Sequence, residues 1–354
     1  MQQGNFDFTL SGGGRNIRAC HSLFNEIISL DNLVLAWQEF KLGKSSKKDV
    51  QAFEFSLEDN LWQLHSDLQS KKYEHSHYTS FYVQDPKLRH IHKANIRDRV
   101  LHHAVFRVLY PIFDKGFIFD SYSCRIDKGC HCSVNRLRSF SRKLSVNNTK
   151  NIFALKCDIK KFFDSINQDI LYGLIAKKIK DKNVLSLTNI VIRSYETGLP
   201  LGNVTSQLFA NIYMNELDQF VKHKLKQKYY MRYSDDFIIL SRDKKELVDL
   251  ITPIQQFLDS RLSLSLHPNK IIIRKFIQGF DWLGYVVLPN HRVIRTKTKK
   301  RMFNKLKQQS CQLRDNKITK KAYFRSQQSY LGILTHCKGY KLKQEIYNLS
   351  KHKK

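Results

Sequence analysis

Tyr230-Met231-Arg232-Tyr233-Ser234-Asp235-Asp236-Phe237-Ile238-Ile239-Leu240 is the stretch on which the reading of the whole chain turns. Two apolar runs flank an acidic break at Tyr233-Ser234-Asp235-Asp236, the pattern of a β-hairpin with carboxylates at its tip. Adjacent aspartates repel, so burying such a tip is costly unless a cation sits there. An ordinary solvated turn can carry the same four residues, and the tetrapeptide alone does not separate the two readings. A third carboxylate would.

Asp158 supplies one. Ile152-Phe153-Ala154-Leu155-Lys156-Cys157 reads as a buried strand that ends on Asp158. Enough chain lies between Asp158 and Asp235 for a helical crossover to bring the strands side by side. Alone, Asp158 reads equally as a strand-end or helix-cap residue. Three carboxylates at the ends of neighbouring strands, however, make an all-oxygen site for two divalent cations roughly 3.5–4 Å apart. Mg2+ is the hard ion that suits such ligands, with Mn2+ as a substitute.

Charge points the same way. Lys+Arg number 61 against 31 Asp+Glu, a net charge of +30 on 354 residues. That excess implies a polyanionic partner, nucleic acid first and an anionic membrane surface second. No apolar run reaches the length of a spanning helix, which excludes an integral membrane protein of that type. The start, Met1-Gln2-Gln3-Gly4-Asn5, is not a signal peptide. Seven cysteines without framework spacing suggest reduced thiols in a cytoplasmic protein. Cys130-His131-Cys132 is their one cluster, and with no second ligand pair at metal spacing a structural zinc site is not expected.

Residues 1–16, which include Ser11-Gly12-Gly13-Gly14, read as a disordered N-terminus, and 17–76 as a helical extension. In the extension, Ile17–Phe40 holds two helices with Asp31-Asn32 capping the second, and Ala52–Leu68 is another. Tyr78–Val83 alternates like a strand, turns at Asp85-Pro86-Lys87 and returns at Arg89-His90-Ile91. Thr205–Lys226 reads as one long helix and Lys244–Leu262 as another. Strands follow near Leu264–Leu266 and Ile271–Ile273, and Phe280–Val287 is hairpin-like. From Arg292 the composition turns strongly basic, with two helices predicted at Thr298–Arg314 and Thr319–Thr335.

In this order the motifs resemble those of reverse transcriptases. Lys156-Cys157-Asp158-Ile159-Lys160-Lys161-Phe162-Phe163-Asp164-Ser165-Ile166 is similar to their first palm motif, and Tyr233-Ser234-Asp235-Asp236 to their second acidic motif. Gly198-Leu199-Pro200-Leu201-Gly202-Asn203-Val204-Thr205-Ser206-Gln207 resembles the motif between them. Asp85-Pro86-Lys87-Leu88-Arg89-His90-Ile91 with Arg97-Asp98-Arg99-Val100 is similar to the fingers motifs. His267-Pro268-Asn269-Lys270 and Trp282-Leu283-Gly284-Tyr285 match the later lysine and primer-grip motifs. The resemblance implies an α+β right-hand polymerase fold: fingers and an antiparallel palm over 77–290, and a basic helical thumb over 291–354.

It also implies roles. Asp158, Asp235 and Asp236 would be catalytic and hold the metals, with the Ile159 carbonyl as a further ligand. Arg89 would pair with the triphosphate, Phe163 would exclude a sugar 2′-hydroxyl, and Lys270 would protonate the leaving pyrophosphate. Leu201 and Gln207 would line the nucleotide site, and Trp282, Leu283 and Gly284 the primer grip. An RNA template, a DNA or RNA primer and dNTPs are the implied partners, with no membrane.

Leu201 where most bacterial relatives have glutamine, and Ser206-Gln207 where they have Ser-Pro, resemble the enzymes of diversity-generating retroelements. Ile118-Phe119-Asp120-Ser121-Tyr122-Ser123-Cys124-Arg125 with Lys128-Gly129, and Asn215-Glu216-Leu217-Asp218, fit the same group. That group implies copying that errs at adenines and a small basic accessory protein. The alternatives are another bacterial reverse transcriptase, such as an anti-phage defence enzyme, and a non-catalytic nucleic-acid binder. The latter would have no use for a buried acid cluster.

Overall fold

The computed structural model describes residues 22–84 and 88–351, arranged as α-helices around three antiparallel sheets. Residues 1–21, with the first residues of the expected Ile17–Phe40 helical stretch, the expected turn at 85–87, and residues 352–354 lie outside the described residues. β1 (Thr79–Gln84) and β2 (Leu88–Lys93) form an exposed hairpin. β3 (Phe153–Asp158), β4 (Tyr230–Tyr233), β5 (Asp236–Ser241) and β6 (Ile272–Lys275) make the central sheet in the order β4-β5-β3-β6. β7 (Phe280–Trp282), β8 (Tyr285–Val287) and β9 (Arg292–Ile294) form the third sheet.

The apolar run of β5 has a simple cause. Phe237 and Ile239 join Leu155, Cys157 and Tyr230 in the main core, whereas Ile238 and Leu240 join Ala154 and Met231 in a second core on the other face. A strand covered on both faces has no polar face to show, so its sequence does not alternate.

The N-terminal helices are α1 (Leu23–Ile28), α2 (Leu30–Lys41), α3 (Lys48–Phe55) and α4 (Leu57–Gln69), followed by α5 (Ile96–Asp114). They share the main core with α8 (Gln168–Lys178), α9 (Lys182–Arg193) and α10 (Val204–Gln219). α6 (Cys130–Leu144) covers the opposite face of the sheet. α7 (Phe162–Ser165) is a single turn after β3. A C-terminal unit of α13 (Thr296–Arg314), α14 (Lys320–Thr335) and α15 (Tyr340–Lys351) has its own small core around Met302, Leu306, Tyr323, Leu334 and Ile346. Among the described residues no helix is long and apolar enough to cross a membrane.

Several boundaries differ from the sequence expectation. Ser29, not Asp31-Asn32, caps α2, its hydroxyl accepting from the Asn32 N–H at 3.3 Å. Ser56, outside helical geometry, divides the expected Ala52–Leu68 helix between α3 and α4. The long helix after Asn203 stops at Gln219 and loosens into a π-helical turn over Phe220–Lys224. Lys244–Leu262 is two helices, α11 (Lys244–Asp249) and α12 (Ile251–Leu262). Pro253 explains the break: it has no N–H to give and fits the first turn of a new helix, not the middle of a continuous one. The third sheet runs past residue 290 to Ile294, and the basic tail holds three helices, not two.

Candidate active site

Asp158, the last residue of β3, pairs in register with Asp236, the first of β5. Tyr233 and Asp236 close the β4–β5 hairpin and leave Ser234 and Asp235 as its two-residue turn. Ser234 has φ +57°, a conformation that favours glycine and that a serine holds only when its surroundings impose it. Arg232 imposes it: its Nη1 donates to the Ser234 carbonyl at 3.0 Å.

The three carboxylates are crowded. Burial and the charge of Asp158 push Asp235 above the usual carboxylate range. Burial carries Asp236 up to about 6 against the pull of Lys156, with Asp235 and Asp158 adding to the rise. Lys156 Nζ lies 3.4 Å from Asp236 Oδ1, yet that oxygen is buried and accepts no hydrogen bond.

Past Asp158 the chain continues in extended pairing. Ile159 bridges Leu266, the His267 N–H donates to the Asp158 carbonyl at 2.8 Å, and the Lys160 N–H donates to Ser265 at 2.9 Å. In this antiparallel pattern the Ile159 carbonyl turns away from 265–267, toward the side where β5 runs. His267 then caps a 3-10 turn, Pro268–Lys270, its Nδ1 accepting from the Asn269 N–H at 3.3 Å. The turn delivers Lys270 Nζ to 2.6 Å from Asp158 Oδ1.

Among the described residues no three His, Cys, Asp or Glu side chains close around a metal ion. The donor chemistry nevertheless fits a hard divalent cation: all-oxygen ligands, two carboxyls raised by burial and by their carboxylate neighbours, and a buried oxygen without a donor. Lys270 and Lys156 supply the positive charge in this arrangement.

Lys161, at φ +44°, turns the chain from β3 into α7, which carries Phe163 half-buried against the main core. The loop before α10 clamps it, the Leu199 N–H donating to the Phe163 carbonyl at 2.8 Å. Gly198 makes that approach with φ +65°, and a Cβ there would stand 2.2 Å from the Phe163 oxygen. Gly198→Ala is therefore expected to lower stability by about 2 kcal/mol or more, through backbone strain and overlap together. Urea denaturation checks this; an unchanged midpoint and slope would show the loop free to move aside.

Leu201 is half-buried, and its carbonyl accepts from the His92 N–H of β2 at 3.2 Å. The Tyr195 hydroxyl and His92 Nε2 lie 2.9 Å apart, tying loop and hairpin a second time. Arg89 is exposed on β2, and Gln207 is exposed in the first turn of α10 between buried neighbours. Trp282, expected in the primer grip, is fully buried, its Nε1 donating to Ser133 Oγ at 2.8 Å, so its side chain packs beneath the β7–β8 hairpin. Leu283 (φ +49°) and Gly284 (φ +88°) form the turn above it.

Three residues that carry this arrangement escaped the sequence reading. Arg232 is completely buried, donating to both oxygens of Asp218 on α10, at 2.8 and 2.7 Å. Gln168 is buried and its Nε2 donates to the Ile192, Tyr195 and Gly198 carbonyls, gathering the loop that holds Phe163. Lys156 Nζ sits 5.4 Å from the centre of the Trp282 ring and so links that core residue to Asp236. An arginine and a lysine inside otherwise apolar strands were the available signals for two of them.

Protein YkfC of Escherichia coli (strain K12) is 24% identical over 255 residues, covering 60% of this chain and 65% of that one. The group II intron-encoded protein LtrA of Lactococcus lactis subsp. cremoris is 26% identical over 288 residues, covering 61% of this chain and 46% of that one. The chain thus spans less than two thirds of the length of either relative. The apo telomerase structure from Candida tropicalis superposes with a TM-score of 0.49 at 13% identity, covering 67% of this chain and 52% of that one. The family described as reverse transcriptase (RNA-dependent DNA polymerase) matches residues 83–287, more than half of the sequence and the whole span of the site. The chain belongs to the reverse transcriptase family.

Proposed function

We propose that the protein is an RNA-directed DNA polymerase that copies an RNA template into DNA from dNTPs, with Asp158, Asp235 and Asp236 as its catalytic carboxylates. The observation that carries the reading is the register pairing of Asp158 with Asp236, with Asp235 at the adjoining tip and Lys270 on Asp158. The β1–β2 hairpin serves as fingers, the central sheet as palm, and α13 to α15 as thumb, with the thumb beginning after Ile294.

Two Mg2+ ions, or Mn2+, held by the three carboxylates and the Ile159 carbonyl would activate the primer 3′-hydroxyl and steady the leaving pyrophosphate. The remaining work falls to the chain itself. Arg89, exposed and without a side-chain partner among the described residues, takes the triphosphate. Phe163, with its backbone clamped, sets the floor under the sugar. Lys270 carries a proton for the leaving group, and the Leu283–Gly284 turn supports the primer. A primer-extension assay on an RNA template with Mg2+ and dNTPs tests the reading: a full-length chain that adds no nucleotide would sink it.

The finer assignment, to a diversity-generating retroelement working with a small basic accessory protein, rests on Leu201 and Ser206-Gln207. Leucine offers no hydrogen bond to the incoming nucleotide, and one lost contact is worth about 1–3 kcal/mol of discrimination. Leu201→Gln is expected to lower misincorporation opposite template adenine by roughly tenfold to a hundredfold. Sequencing of products from a defined RNA checks it, and identical error spectra would remove the assignment's support.

A further inference from the structure

We propose that Phe119, Lys128 and Arg136 form a stacking site for a single-stranded stretch of nucleic acid at the outer edge of the central sheet. This inference rests on the polymerase reading and extends it to a surface away from the carboxylates. Residues 120–122 run alongside β4: the Tyr122 N–H donates to the Arg232 carbonyl at 3.0 Å, and the Arg232 N–H donates to Asp120 at 2.9 Å. The segment therefore lies one strand beyond β4 and three strand spacings, roughly 14 Å, from β3.

Phe119 is 65% exposed although Phe117 and Tyr122 beside it are buried. Two cations attend its ring. Lys128 Nζ stands 3.5 Å from the ring centre and donates to the Phe119 carbonyl at 3.1 Å. The Arg136 guanidinium carbon is 5.2 Å from the same centre. Asp120, itself buried, orients Arg136 through contacts of 2.7 and 3.3 Å and also has Lys222 Nζ at 3.8 Å. One carboxylate thus faces two cations, and Lys128 has no carboxylate within ion-pair distance among the described residues. Burial first, and then the neighbouring Arg125, lower the pKa of Lys128 against the opposing pull of Asp120 and Asp114.

A cap on the ring would need neither the exposure nor the excess charge. A base would use both: it stacks on the exposed part of the ring while its phosphates meet Lys128 and the free donors of Arg136. Such contacts tolerate any sequence, because every base has a π-face. An acidic peptide could meet the cations but has no equivalent demand for the bare ring.

The test uses the full-length protein with two fluorescent probes, an oligouridine RNA and a blunt RNA–DNA duplex. Phe119→Ala is expected to weaken oligouridine binding about tenfold and to leave the duplex affinity unchanged. Phe119→Trp should retain binding and Phe119→Leu should not, which separates stacking from mere apolar contact. Lys128→Gln should reduce the salt slope of oligouridine binding by about 0.7, the share of one phosphate contact. Unchanged oligouridine binding by Phe119→Ala, or an equal loss on the duplex, overturns the proposal, and the first result is the one a protein partner at this surface would give. Primer extension by the parent, run in parallel, keeps the outcomes apart. Extension together with unchanged Phe119→Ala binding sinks this site alone. No extension together with the selective loss sinks the polymerase reading alone.

Discussion

An Asp235→Asn variant is expected to extend a primer at least about a thousandfold more slowly than the parent, since a carboxylate on a catalytic cation contributes several kcal/mol of transition-state charge stabilisation. The same variant, free of metal, should melt above the parent at neutral pH. Asp235 and Asp236 both have carboxyls raised above their usual range, Asp236 to about 6, so the folded state resists their ionisation. A carboxyl whose pKa is higher folded than unfolded adds no penalty below about pH 4. The penalty grows as pH rises through the folded value and is complete above it. Parent and variant should therefore melt alike near pH 4 and diverge by pH 7. Melting curves at the two pH values, in chelator and then in excess Mg2+, read both effects: Mg2+ should raise the parent's midpoint more than the variant's. A variant that melts with the parent at every pH would mean that the acidic tip carries no stored repulsion.

Loss of Asp218 should be nearly as severe by a different route. Arg232 has its guanidinium buried, with Asp218 as its carboxylate partner among the described residues and the Asn211, Ser121 and Ser234 oxygens completing its bonds. The Tyr230 hydroxyl also donates to Asp218, at 2.6 Å. Asp218→Ala leaves a cation uncompensated in the core, which costs about 3–5 kcal/mol. That is a large fraction of the roughly 5–15 kcal/mol that holds a domain together. Replacing both partners at once, Arg232→Met with Asp218→Leu, should recover most of the stability, because an apolar pair needs no compensation. It should not recover extension, because nothing would then hold the Ser234 carbonyl and the turn that presents Asp235. Denaturation midpoints and extension rates for the single and double variants separate the two contributions. Full activity in the double variant would show that the hairpin keeps its shape unaided.

Much of this was legible before any coordinates. The hairpin could be read because the short polar break Tyr233–Asp236 lies between two apolar runs, and Asp158 because it ends a buried run. The α+β class followed from the alternation of such strands with helical periods. What could not be read depended on partners distant in the chain. Arg232 in an apolar strand reads as a residue facing water; only the fold reveals Asp218 beneath it. Trp282 sits in a motif that suggests contact with a primer, and the second core that buries it is assembled from α6, β5 and β7 together. The last helix, α15, escaped because its apolar positions are sparse, and among its described side chains Ile346 alone is fully buried. Pro253 breaks the Lys244–Leu262 period into two helices, whereas Pro111 stays within α5, so a proline inside a helical period does not by itself fix a boundary.

The register of the central sheet has a consequence for how the protein is made. β3 is an inner strand, yet both of its neighbours, β5 and β6, come later in the sequence, beyond α7 to α10 and beyond α12 respectively. During synthesis β3 leaves the ribosome with two unpaired edges and must wait for them to be covered. Pairings between such distant segments are slow to close, so the carboxylate cluster is among the last features to form. Chains released before Asp236 would carry an open sheet edge and no site, and chaperone binding in that window would guard solubility and activity together.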